Sequence, residues 1–179
     1  MIKLREPYPA RIILIVALSI GLVMLGGPYV KAGNAAQGDE EAAVRDVLMK
    51  SALSFEKNDL AMASRVWAND ESLTVFEQGH ANYGWADYRD HHLVPEMGEM
   101  KNTKYAFSDI KIHLAGKTAW ATLKYTISAE VTDNGKTRQV DGSGLGTAVL
   151  ENHDGRWRIV HWHSSAPRRA PSNPPPPKV

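Results

Sequence analysis

The sequence contains no cysteine. That excludes disulfides, thiolate nucleophiles and thiolate metal sites. A chain without such staples is held by its own core, and a body of roughly 130 residues is large enough for one. Gly-x-Ser-x-Gly, His-Glu-x-x-His and Walker patterns are also missing, which removes the nucleophile elbow, the helical zinc site and the phosphate loop. Gly142-Ser-Gly-Leu-Gly146 lacks the spacing of a dinucleotide loop and opens no helix. Its glycines at i, i+2 and i+4 instead bare one face of a strand, for curvature or for close approach of another element.

No hydrophobic run reaches the length of a comfortable membrane span. The longest, residues 12–25, follows a basic stretch with Lys3, Arg5 and Arg11 and precedes Gly26-Gly27-Pro28. This fits the hydrophobic region of a secretion signal, with Val30-Lys31-Ala32 placing slim residues at a cleavage site. We expect residues 1–32 to be a signal peptide and the protein to be periplasmic or secreted, touching a membrane only through an uncleaved signal anchor. Basic residues are concentrated at the ends. Residues 33–166 carry 14 basic and 19 acidic side chains, an acidic body that offers nucleic acid no electrostatic footprint.

Periodicity supplies the elements. Asp39-Glu40-Glu41 suits a helix start, and Val44, Val47, Leu48, Ala52 and Phe55 form one apolar stripe, predicting a helix over about 39–57. Asp59 caps a short second helix through about Trp67. Residues 72–76 read as a strand and 79–84 as a loop. A third helix is expected from Gly84 to Val94, stopped by Pro95, with Trp85, Tyr88, Arg89 and His92 on one face. Four strands follow. The apolar positions of 103–114 switch parity near Ser108-Asp109, which predicts a bulge. Residues 118–132 alternate cleanly, Asp133-Asn134-Gly135 marks a tight turn, 137–151 returns, and His153-Asp154-Gly155 turns into a last strand over 156–164. The fold class is therefore α+β: a cone-shaped, curved antiparallel sheet covered by three N-terminal helices, over about 38–166. Residues 167–179, rich in proline, are expected to be a disordered tail.

The final strand carries a resemblance. Gly155-Arg-Trp-Arg-Ile-Val-His-Trp-His-Ser-Ser-Ala-Pro167 resembles the C-terminal strand of the association (hub) domain of calcium/calmodulin-dependent protein kinase II, as do Leu73-Thr-Val-Phe-Glu77 and the Asp87-Tyr88 helix. Through it the chain resembles the SnoaL-like and nuclear transport factor 2-like superfamily, with its many exported bacterial members. The resemblance implies the cone fold, a cavity and self-association, so we expect a homodimer or higher homo-oligomer. It does not carry over the hub's carboxylate site. The positions matching its arginines are Thr126 (or Tyr125), Ala148 and Ser164, and Arg89 stands where the hub has a pocket histidine.

The candidate ligand pocket is Trp85, Tyr88, Arg89, His92, Tyr125, Thr126, Asp141, His161 and His163. The first expectation is small-molecule binding in the cone without a cofactor, or an oligomerisation module. The alternative is a small isomerase, dehydratase or cyclase using Tyr88 and His92 as hydrogen-bonding or acid–base groups and Asp141 as a base. Asp109 is a second strand carboxylate considered for that role. His161 and His163, two apart on one strand and so on one face with Trp157 and Ile159, offer a weaker metal-binding alternative, with His80 or His92 as a third ligand. The hub resemblance implies instead that this pair is structural, packed at the sheet without a metal, and that reading is preferred. Trp120 and Trp162 fall among the polar sets of their strands and suit a subunit interface.

Overall fold

A computed structural model describes residues 29–167 except Asn134, with side chains from residue 36 onward save that of Asp133. Residues 1–28 and 168–179, which hold most of the expected leader and the proline-rich tail, lie outside the described residues. None of the described helices is long and apolar enough to cross a membrane.

Helix α1 spans Tyr29–Glu56, beginning well before the acids at 39–41. Its stripe is the expected one: Val44, Leu48, Ala52 and Phe55 are all buried. Helix α2, Leu60–Val66, starts where Asp59 accepts a hydrogen bond from the Met62 N–H at 2.8 Å. This satisfies one of the orphan amide groups of a helix start and stabilises it by about 1 kcal/mol.

The stretch read as a loop is a strand. β1 (Thr74–Glu77) turns through Gln78 and Gly79, both at positive φ, into β2 (His80–Tyr83). Two successive positive φ values are the two-residue hairpin geometry, which a glycine eases. Pro95 does not end the next helix either. α3 (Trp85–Tyr88) passes through a π-helical turn at Arg89–Leu93 into α4 (Val94–Glu99). The Val94 N–H reaches back to Arg89 O. That wider turn makes room for a proline ring, which in a regular helix clashes with the carbonyl four residues earlier.

Four long strands complete the chain: β3 (Met100–Ala115), β4 (Thr118–Asp133), β5 (Lys136–His153) and β6 (Arg156–Ser165). The sheet order is β2-β1-β6-β5-β4-β3. Every pairing is antiparallel except β1 with β6, which is parallel, so the sheet is not purely antiparallel as expected. The parity switch in β3 is a bulge at Asp109 (φ 51°), and a second lies at Asn102 (φ 51°). Each sets two residues against one and bends the sheet.

A third bulge has larger consequences. Val149 pairs with His161, but Leu150 pairs with Ile159, leaving Val160 as an extra residue in β6. Trp157 and Ile159 face inward before it; Trp162 and Ser164 face inward after it. The helices cover this concave face, and Val44, Leu48, Leu73, Val75, Leu150 and Ile159 form its fully buried core. Burial of each such side chain contributes about 1.5–3 kcal/mol. The wide end of the cone is left open between the segment 85–99 and β4–β6.

Candidate functional site

The open end is a cavity of about 820 Å³. Phe55, Trp67, Tyr88, Tyr105, Phe107, Tyr125 and Trp162 contribute its aromatic walls, and Glu77 and Glu96 are its inner acids. Two glycines of β5 make the wall possible. A Cβ at Gly144 would collide with the Tyr125 hydroxyl and the Ser165 carbonyl, and one at Gly146 would sit 2.7 Å from the Trp162 ring. The close approach suggested by the glycine spacing is thus real.

Glu77 is the centre of the polar network. It ends β1, in parallel register with Ser164 of β6. Its Oε1 accepts from Trp162 Nε1–H at 2.8 Å and from the Ser164 hydroxyl at 3.1 Å. Its Oε2 lies 3.1 Å from His92 Nε2, which is also 3.4 Å from Glu96 Oε1. On the other side, His92 Nδ1 lies 3.0 Å from Asn82 Oδ1. Asn82 is oriented by its own amide, which donates to Asp87 at 3.1 Å. Both ring nitrogens of His92 therefore face acceptors, so both carry protons and the ring is an imidazolium.

The electrostatics agree. The hydrogen bond to Glu77, then that to Glu96, outweigh burial and push the His92 pKa up to about 10. Burial alone would raise the Glu77 carboxyl. The bond to His92, its charge and the Trp162 and Ser164 donors overcome that and hold Glu77 below the usual carboxylate range. Burial, and next the charge of Glu77, push the phenols of Tyr88 and Tyr105 well above the ordinary tyrosine value.

The residues expected to form one pocket are only partly brought together. Tyr88 and Tyr125 line the cavity. His92 lies behind the wall, packed edge-on against Tyr88 and bridging the two acids. Trp85 is buried beneath Tyr88 and does not reach the cavity. Arg89 points to solvent in a two-pronged bond to Asp90 at 2.6 and 2.7 Å, because the π turn makes Leu93 the next inward residue after Tyr88. Thr126 faces the outside of β4. Asp141 is at the cavity mouth with Arg138, exposed rather than desolvated. Asp109 is exposed too, paired with Lys124 at 2.7 Å.

His161 and His163 do not share a face with Trp157 and Ile159. The Val160 bulge turns both outward, and His161 Nδ1 is bonded to the Thr74 hydroxyl at 2.7 Å. Burial, with a smaller effect of His163, lowers the His161 pKa. Among the described residues no group of three or more His, Asp or Glu side chains is placed to hold a metal. The same bulge turns Trp162 inward, so it belongs to the cavity and not to an outer interface.

Glu77, Glu96 and Asn82 were absent from the expected set. Glu96 had a signal, since Tyr88, His92 and Glu96 recur every four residues, but the proline at 95 hid it. Glu77 and Asn82 had none beyond their neighbours, because their partners are brought in by the sheet.

The SnoaL-like domain family matches residues 44–169. No curated protein matches the chain significantly in sequence. Among solved structures it is similar to a nuclear transport factor 2-like superfamily protein of Salmonella enterica serovar Typhimurium LT2, at 20% identity and TM-score 0.65, covering 77% of this chain and 96% of that one. It is similar to a candidate ketosteroid isomerase of Shewanella frigidimarina NCIMB 400, at 24% identity and TM-score 0.57, over 69% and 94%. A third likeness is to the hexachlorocyclohexane dehydrochlorinase LinA-type3 of Novosphingobium barchaimii LL02, at 11% identity and TM-score 0.63, over 74% and 90%. These identities speak for the fold alone, and the closer hub-type likeness expected from the C-terminal motif is not shown by them. With the family matched over most of its length and the cone observed, the chain belongs to the SnoaL-like family and has the nuclear transport factor 2-like fold.

Proposed function

We propose that the chain is an exported protein that binds a small, mainly apolar molecule in the cone. The observation that carries this is the cavity of about 820 Å³, walled by aromatic rings, with Glu77, Glu96 and Ser164 among its polar lining. Concave, largely apolar sites of this size are where proteins hold small ligands. A catalytic reading, an isomerase or dehydrochlorinase-like activity, is favoured by the descriptions of two structural relatives. The side chains support it less. A base works best with a pKa near the working pH. Here Glu77 is held ionised by three donors, His92 is held protonated, and the Tyr88 phenol is made harder to ionise. Asp141, the other candidate base, stands at the exposed mouth.

Native mass spectrometry of the full chain, expressed with its leader and purified from a periplasmic extract, tests the binding reading. The expected result is a folded species with added non-covalent mass, lost in Ala129→Trp, which places an indole on the cavity wall. A bare protein in both cases overturns it. The same spectrum reads export from the mass of the N-terminus, and homodimer formation from the charge series.

A further inference from the structure

We propose that the molecule received by the cone is an organic cation, an amine on an aromatic or other apolar body, whose ammonium group sits between Glu77, Glu96 and the Tyr88 hydroxyl. This rests on the binding reading above and names the class of ligand.

Charge is the first argument. Two carboxylates, Glu77 and Glu96, meet one imidazolium, so the inner wall keeps one uncompensated negative charge. Asp87 contributes to fixing that count. By holding the Asn82 amide it turns the Asn82 carbonyl oxygen toward His92, which commits the ring to its doubly protonated form. Among the described lining residues the one basic group is Arg138, exposed at the mouth. An anion entering the cone would meet like charge beside Glu77, whose side chain is 17% exposed, and the penalty rises as the local dielectric falls.

Unfilled hydrogen-bonding capacity is the second argument. Glu77 Oε1 is saturated by Trp162 and Ser164, while its Oε2 and the Glu96 carboxylate share only the His92 N–H. Tyr88 is 6% exposed, lines the cavity and has no hydrogen-bond partner for its hydroxyl among the described residues. That oxygen is not sealed over by protein, so it opens on the cavity. A neutral phenol beside two carboxylates is a third acceptor for an ammonium group with three N–H donors.

The walls are the third argument. Tyr88, Tyr105, Tyr125, Phe107 and Trp162 present aromatic rings. The face of such a ring carries partial negative charge and attracts a cation that has lost its water. Because Tyr88 and Tyr105 resist ionisation, the phenols remain neutral and do not drive the count further.

The test uses the full chain and three probes on one scaffold: naphthylethylamine, naphthylethanol and naphthylacetate, each titrated by calorimetry at pH 7. The amine is expected to bind about tenfold or more tightly than the alcohol, the equivalent of one ion pair, with the acetate weakest. Glu96→Gln, at a partly exposed position, is expected to remove the preference for amine over alcohol while leaving the alcohol's affinity unchanged. Equal affinity for all three, or a preference for the acetate, overturns the cation proposal and leaves the apolar cavity standing. A preference for the amine that survives Glu96→Gln and Tyr88→Phe places the cation elsewhere and overturns it too. Failure of all three probes to bind overturns the cavity reading together with it.

Discussion

His92 connects the polar network to stability. Its ring sits between Glu77 and Glu96 at 3.1 and 3.4 Å with the side chain 14% exposed. Removing one partner of a buried pair leaves an uncompensated charge, which costs about 3–5 kcal/mol. We therefore expect His92→Gln to lower unfolding stability at pH 7 by that order in urea titrations. The pH dependence has a definite sign. The folded pKa of about 10 lies above the ordinary value of 6.5, so the His92 contribution is complete below about pH 6.5 and is lost as pH rises toward 10. Glu77 works in the opposite direction: its depressed pKa gives stability that disappears as pH falls through the carboxylate range. Urea midpoints measured from pH 5 to pH 10 are expected to fall across the alkaline half, and that fall is expected to vanish in His92→Gln. A wild-type midpoint that stays flat to pH 10 would sink the ion-pair account. Tyr88 and Tyr125 could be chosen from the sequence because aromatic residues on a helix face and an alternating strand must pack on something. Glu77 could not. An acid that closes a four-residue strand reads as a surface residue, and its Trp162 donor lies 85 residues away.

Strand β5 and helix α4 respond to the same kind of substitution in opposite ways. An added Cβ at Gly144 meets a backbone carbonyl and the Tyr125 ring, neither of which can move cheaply. Gly144→Ala is expected to cost about 1–3 kcal/mol from overpacking. At Gly98, inside α4, nothing lies within 4 Å of the new atom. Gly98→Ala is expected to stabilise by about 0.5–1 kcal/mol, the helix-propensity difference. Thermal or denaturant unfolding of the two variants checks both signs; destabilisation by Gly98→Ala would contradict the helical placement of that residue. The elements differ in how well the sequence announces them. β4 is legible residue by residue, because Ala119 to Ala129 alternate without interruption and that face is buried. β6 is not. Its extra residue, Val160, is as apolar as its neighbours, so nothing in the composition marks where the parity of the strand changes. His161, Trp162 and His163 were consequently assigned to the wrong faces. The π turn hides in the same way, since inserting a wide turn leaves the residue types untouched and shifts only which of them point inward.

The whole molecule has an outer sheet surface and two sheet edges through which a homodimer could form, and they are not equivalent. β3, at one edge, is long, but it is broken by the bulges at Asn102 and Asp109 and carries Lys101, Lys104 and Lys111. β2, at the other, has four residues. Bulges, lysines and short length are the devices that prevent edge-to-edge pairing. The outer face carries Lys124, opposite Leu145 and paired with Asp109, but it also exposes large apolar groups. Trp120 is 44% exposed there and stacks flat on His113, with ring centres 3.9 Å apart. Leu145, on the neighbouring strand, is 61% exposed. Exposed aromatic and aliphatic groups on a rigid strand pair are the kind of anchor that dominates interfaces. If the chain associates as the family resemblance implies, it does so through this face, and Trp120→Glu should convert the dimer to a monomer without loss of fold. Light scattering after size exclusion, read with near-ultraviolet circular dichroism, makes the measurement. A dimer that persists in Trp120→Glu would move the interface off this face. A wild type that is monomeric at every concentration would remove self-association and leave the cavity to account for the protein.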